Sequence, residues 1–74
     1  MDYVVYTQYE GQKAFRATDL YDKGQVGNVL YATTFYAKEL QKAKEMLQKV
    51  AKLNPDIKFQ LRENKTGKIV WASK

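Results

Sequence analysis

Between Tyr36 and Leu53, apolar side chains return at three- and four-residue steps: Tyr36, Leu40, Ala43, Leu47, Val50 and Ala51. At 3.6 residues per turn, that spacing draws one apolar stripe and predicts a helix. Such a helix is stabilised mainly by whatever covers its stripe, so the rest of the chain must supply a cover. Thr33 or Thr34 is placed to cap its start. Asn54-Pro55 is placed to end it, because proline disfavours α geometry in the residue before it.

The cover is read as β-strands. Residues 3–9 are rich in tyrosine, valine and threonine, which suit a pleated, half-buried surface. Glu10-Gly11 supplies a two-residue turn that sets Gln8 against Lys13, Tyr6 against Phe15 and Val4 against Ala17. Val4, Tyr6, Phe15 and Ala17 then share one face, and Tyr3, Val5, Thr7, Tyr9, Ala14 and Arg16 the other. Near the C-terminus, Ile57, Phe59 and Leu61 alternate with Lys58, Gln60 and Arg62, a half-buried strand pattern. Asn64-Lys65-Thr66-Gly67 matches a type I turn followed by a glycine bulge, setting Glu63 opposite Ile69 and Leu61 opposite Trp71. Ile57, Phe59, Leu61, Ile69 and Trp71 are then expected on one side. Residues 19–28, with two glycines and two aspartates, read as a loop, and Val29-Leu30-Tyr31-Ala32 as a short third strand.

The order is ββ(β)αββ. One amphipathic helix and four amphipathic strands bury their apolar sides together as a helix laid on one face of a mainly antiparallel sheet. The expected class is α+β, with residues 1–74 forming one small domain. A chain with 45% apolar and 14% aromatic residues is too rich in large side chains for disorder.

Chemistry is constrained by what is missing. There is no cysteine, hence no disulfide and no thiolate metal site, and no histidine to act as general base or ligand. Ser73 is the only serine and stands one residue from the end. Asp19 and Asp22 alone do not make an oxygen cage for a hard cation. Gly24-Gln25-Val26-Gly27 has the form that clamps nucleotide backbones between two helices, but here a hairpin precedes it and a strand follows. The expectation is a non-enzymatic protein with no cofactor, no metal and no small-molecule substrate. The first residues show no basic region followed by a long apolar run, and no stretch approaches the roughly 18 apolar residues of a membrane span. A cytoplasmic location and no membrane partner are expected.

Two surfaces remain as candidates for binding. The net charge is +5, and its excess lies in the second half of the chain, a field that favours anionic partners. On the helix, Lys38, Lys42 and Lys49 fall within about 40° of one another opposite the apolar stripe, with Lys52 beside them. They can track a phosphate backbone or form an ordinary solvated face, with Glu39 pairing Lys42 and Glu45 pairing Lys49. The second surface is the sheet face away from the helix, expected to carry Tyr3, Val5, Thr7, Tyr9, Arg16, Lys58, Gln60, Arg62 and Val70. Rings interleaved with cations suit a protein interface, a second copy of the chain, or the bases of a single strand.

The stretch from Lys38 to Trp71, an amphipathic helix, Asn54-Pro55 and a terminal hairpin, resembles small proteins encoded by bacteriophages and mobile elements of Gram-positive bacteria. That resemblance implies an accessory factor or inhibitor that binds a host protein stoichiometrically. The leading expectation is a domain that binds a protein partner, or itself, through the open sheet face. The alternative is a nucleic-acid-binding protein using the lysine face of the helix and the basic sheet face.

Overall fold

The computed structural model describes residues 2–18 and 23–73. Among these, the chain forms β1 (Tyr3–Gln8), β2 (Arg16–Ala17), β3 (Lys23–Val26), β4 (Val29–Ala32) and β5 (Thr34–Phe35). A 3₁₀ turn (Ala37–Glu39), α1 (Leu40–Leu53), β6 (Lys58–Glu63) and β7 (Ile69–Ala72) follow. The expected α+β class holds: one helix packs on a mainly antiparallel sheet. No helix among the described residues is long and apolar enough to cross a membrane.

The sheet runs β2-β1-β6-β7, with β5 pairing β1 beside β2. β1 and β6 pair along six positions, including Val5 with Leu61 and Thr7 with Phe59. On its other edge, β1 is shared by β2, at Tyr6 and Thr7, and β5, at Tyr3 and Val4. Val5 is the splice between them. Its N–H donates to the Thr33 carbonyl at 2.8 Å, and its carbonyl accepts both the N–H and the hydroxyl of Thr18, each at 2.8 Å. This satisfies the backbone of a fully buried residue where neither neighbouring strand reaches it alone.

The core gathers Val5, Phe59 and Leu61 from the sheet and Ala43, Leu47 and Val50 from α1. Val26, Tyr31 and Phe35 complete it from the β3–β4 hairpin and β5. Helix and β3–β4 hairpin thus cover the same face of the sheet. Tyr31 meets Phe59 edge to face, with ring centroids 5.8 Å apart.

Several local expectations are corrected. The expected loop at residues 19–28 is a strand from Lys23 to Val26, while residues 19–22 lie outside the described residues. β3 and β4 close through Gly27-Asn28, with Gly27 at φ +59°, where a two-residue hairpin turn needs glycine. Gly24 hides the strand in the sequence because glycine weakens strands in general. Here it stands opposite Tyr31, and a Cβ would lie 2.7 Å from the tyrosine Cζ, so the missing side chain makes room for the ring. In the first hairpin, Tyr6 pairs with Ala17 rather than Phe15, a shift of two residues that preserves which side chains share a face. In the last hairpin, the four-residue loop closes one residue early: the Glu63 N–H donates to the Lys68 carbonyl at 2.8 Å. A bulge between Leu61 and Arg62 absorbs the slip. Trp71 therefore still faces Leu61, while Ile69 moves opposite Arg62, out of the expected core.

Neither Thr33 nor Thr34 caps the helix, since Thr33 is buried between strands and Thr34 belongs to β5. Instead, Glu39 Oε1 accepts the Tyr36 N–H and Asp2 Oδ2 accepts the Ala37 N–H, both at 2.8 Å. Carboxylates are favoured there by the exposed N–H groups of a helix start. Tyr36, expected on the apolar stripe, is left exposed. Asn54 ends the helix as expected, its N–H on the Ala51 carbonyl (3.2 Å) and its Nδ2 on the Val50 carbonyl (2.9 Å).

Two consequences can be measured by urea unfolding. Gly24→Ala should lower stability by about 1–3 kcal/mol through overpacking against Tyr31; an unchanged value would contradict the close contact. The Tyr31 hydroxyl is buried with no hydrogen-bond partner among the described residues. Burial raises its pKa above the ordinary 10.0, Thr18 opposes the shift and Tyr9 adds to it. A raised folded pKa means that this contribution to stability is complete below the ordinary value and is lost as pH rises through the folded one. Tyr31→Phe should therefore be neutral or stabilising at pH 7, and should lack part of the alkaline loss seen in the parent.

Candidate binding face

The sheet face turned away from α1 and the β3–β4 hairpin is built by the alternation of β1 and β6. Register sets Val4 beside Arg62, Tyr6 beside Gln60 and Gln8 beside Lys58. Ala17 joins it opposite Tyr6, Ala72 opposite Gln60 and Ile69 opposite Arg62. Arg62 is its centre. The guanidinium carbon lies 4.1 Å from the Tyr6 ring centroid and 6.0 Å from that of Phe15. Arg62 Nε and Nη2 donate to Gln60 Oε1 at 3.0 and 2.7 Å.

This arrangement orders a long cationic side chain without neutralising it. Gln60 is a neutral acceptor, so the positive charge stays available, and the ring of Tyr6 offers its negative face to the cation. The guanidinium has five N–H donors, more than Gln60 engages. The chemistry on offer is recognition of a carboxylate or carbonyl, rimmed by apolar contact from Val4 and the exposed Ile69.

The structure divides the expected sheet-face residues between the two sides. Lys58, Gln60 and Arg62 lie on the open face. Val5 is completely buried, Thr7 is buried, and Tyr3 packs against the core on the covered side. Arg16 shares the Thr7 face, and with Tyr9 it lines a groove at the covered-side edge next to Lys23 and Gln25. Val70, the extra residue of the bulge, is half-buried against the core. The open face gains Val4, Tyr6 and Phe15, which the strand alternation grouped correctly but assigned to the helix side. Both sides of β1 carry large apolar or aromatic residues, so alternation alone does not say which is covered; pairing of Val5 with Leu61 decides it.

The lysines are exposed on the opposite side of the molecule. Lys38 lies in the 3₁₀ turn, outside the helical spacing that would align it with Lys42 and Lys49. Lys49 and Lys52 line a shallow groove with Glu45 and Gln48. Glu39 binds the Tyr36 N–H, and Glu45 accepts from Gln41 Nε2 at 3.4 Å. Comparison of the chain with protein-family models, curated proteins and solved structures finds no match.

Because Arg62 is held on an uncovered face, Arg62→Ala should change the unfolding free energy by less than about 1 kcal/mol. Phe59→Ala, on the other side of the same strand, should cost about 3–5 kcal/mol. Denaturant unfolding followed by Trp71 fluorescence reads both. A large loss on removing Arg62 would make it a structural residue.

Proposed function

We propose that this chain is a non-enzymatic binding domain that meets a protein partner through the open sheet face, with Arg62 at the centre of contact. The observation that carries this reading is the fixing of Arg62 by Gln60 over Tyr6 on a surface nothing else in the described chain covers. Arginine and tyrosine dominate interface hot spots. A side chain ordered before association loses less entropy on binding than a free one. The fold has no need of this arrangement for its core, which lies on the other side.

A protein carrying a carboxylate among apolar residues fits the face best. A second copy would bring the same positive centre toward Arg62. A base of a single-stranded nucleic acid would have to displace the guanidinium before stacking on Tyr6. The nucleic-acid reading draws its support from the net charge of +5 and the exposed Lys42, Lys49 and Lys52. Those lysines are across the sheet from Arg62, so a single strand would have to bend around the domain to touch both surfaces. The absence of histidine and cysteine supports a stoichiometric role over a catalytic one.

Parallel capture from native cell extract tests the proposal, using immobilised parent chain, Arg62→Glu and Lys42→Glu. The expected result is a stoichiometric protein held by the parent and Lys42→Glu and lost with Arg62→Glu. Retention of the same protein by Arg62→Glu would refute the open-face reading. Oligonucleotide binding at about 50 mM salt that Lys42→Glu weakens and Arg62→Glu does not would favour the nucleic-acid reading.

A further inference from the structure

β7 is an edge strand of unusual composition. It pairs with β6 and, among the described residues, with nothing beyond. The Ser73 N–H points inward, donating to the Phe59 carbonyl at 2.8 Å, so by antiparallel alternation the Ala72 N–H points out of the sheet. Natural edges are usually protected by charge or proline. β7 reads Ile-Val-Trp-Ala and has neither, only its shortness and the bulge at Val70.

Next to this edge runs a groove of about 520 Å³. One wall is α1, through Gln48, Ala51 and Lys52; the other is β7, through Trp71, and Ile57 lies between them. A strand laid along β7 would take up the outward backbone groups and drop alternate side chains between Trp71 and the helix. Backbone pairing and a side-chain pocket thus occur in register on one surface.

We infer that the β7 edge and its groove bind an extended peptide that combines apolar side chains with carboxylates, added to the sheet as a further strand. Charge selects this occupant. Lys52 is the one charged side chain lining the groove among the described residues, and Lys68 directly precedes β7 in the sequence. A second copy added to this edge would bring another Lys52 and Lys68 to it, and no carboxylate among the described lining residues offsets them. A peptide with glutamates opposite these lysines turns the same contacts favourable. This surface shares β7 with the open face, where Ile69 and Ala72 also stand. It uses the outer backbone of that strand and the helix-side groove rather than Arg62, so the two proposals are separated by the Arg62 and Lys52 variants.

Fluorescence anisotropy tests the inference with three labelled peptides of about eight residues. One alternates valine and leucine with glutamate, the second replaces glutamate by lysine, and the third is the glutamate peptide with proline at alternate positions. The glutamate peptide should bind the parent chain at least about tenfold more tightly than either of the others. Ala72→Pro, which removes an outward N–H that edge strands can spare, should abolish that binding. Lys52→Glu, a surface change that leaves the fold intact, should weaken it about tenfold, and Arg62→Glu should leave it unchanged. Equal binding of the glutamate and lysine peptides would overturn the inference, as would no binding at about 1 mM peptide. Insensitivity to Lys52→Glu, or a concentration-dependent dimer that the glutamate peptide does not disrupt, would overturn it too.

Discussion

Val5 and Leu61 face each other at the middle of the β1–β6 pairing, both fully buried, and much else follows from that one register. It places Val5, Thr7, Phe59 and Leu61 on the side covered by the helix and the β3–β4 hairpin and sends Val4, Tyr6, Gln60 and Arg62 to the opposite side. Because strand side chains alternate, a slip of one residue would exchange the two sets completely. The Val5 backbone reinforces the choice. Its bonds to Thr18 and Thr33 tie the end of β2 and the start of β5 to the same point of β1. Turning β1 over would break those bonds and put Thr7 and Val5 in water.

Much of this was legible beforehand. The helix spacing of Leu40, Ala43, Leu47 and Val50 marks its buried stripe without ambiguity, and Asn54-Pro55 marks its end. Alternation from Ile57 to Arg62 likewise assigns β6 correctly, because only one of its sides is apolar. β1 was different. Its two sides have nearly equal apolar content, so the choice depends on a partner more than fifty residues away in the chain. β3 was hidden by Gly24, which reads as loop until Tyr31 is seen opposite it. The helix start was hidden for a related reason: Asp2, which bonds Ala37, is brought there by the fold and not by proximity in sequence.

The same long-range pairing created the candidate site. Tyr6, Phe15, Gln60 and Arg62 come from three separated segments, and no local motif joins them. Cations and aromatics on the sheet were visible in the sequence, yet their combination depended on which side of β1 faced outward. With that settled, Arg62 emerges as a fixed charge beside two rings, while the lysines of α1 form a separate, solvated surface. The binding role proposed for the sheet face and the positive field on the far side therefore rest on different residues.

The register can be tested directly because the chain has no native cysteine to confuse a thiol readout. Val4→Cys and Val5→Cys differ by a single position on β1 and can each be labelled with a maleimide in the native state. The thiol at position 4, half-buried on the open face, should be labelled directly in the native state and far faster than that at position 5, which should react only as fast as the protein opens. Rapid labelling at position 5 with protection at position 4 would contradict the pairing, and with it the placement of Tyr6 and Arg62 on an open surface.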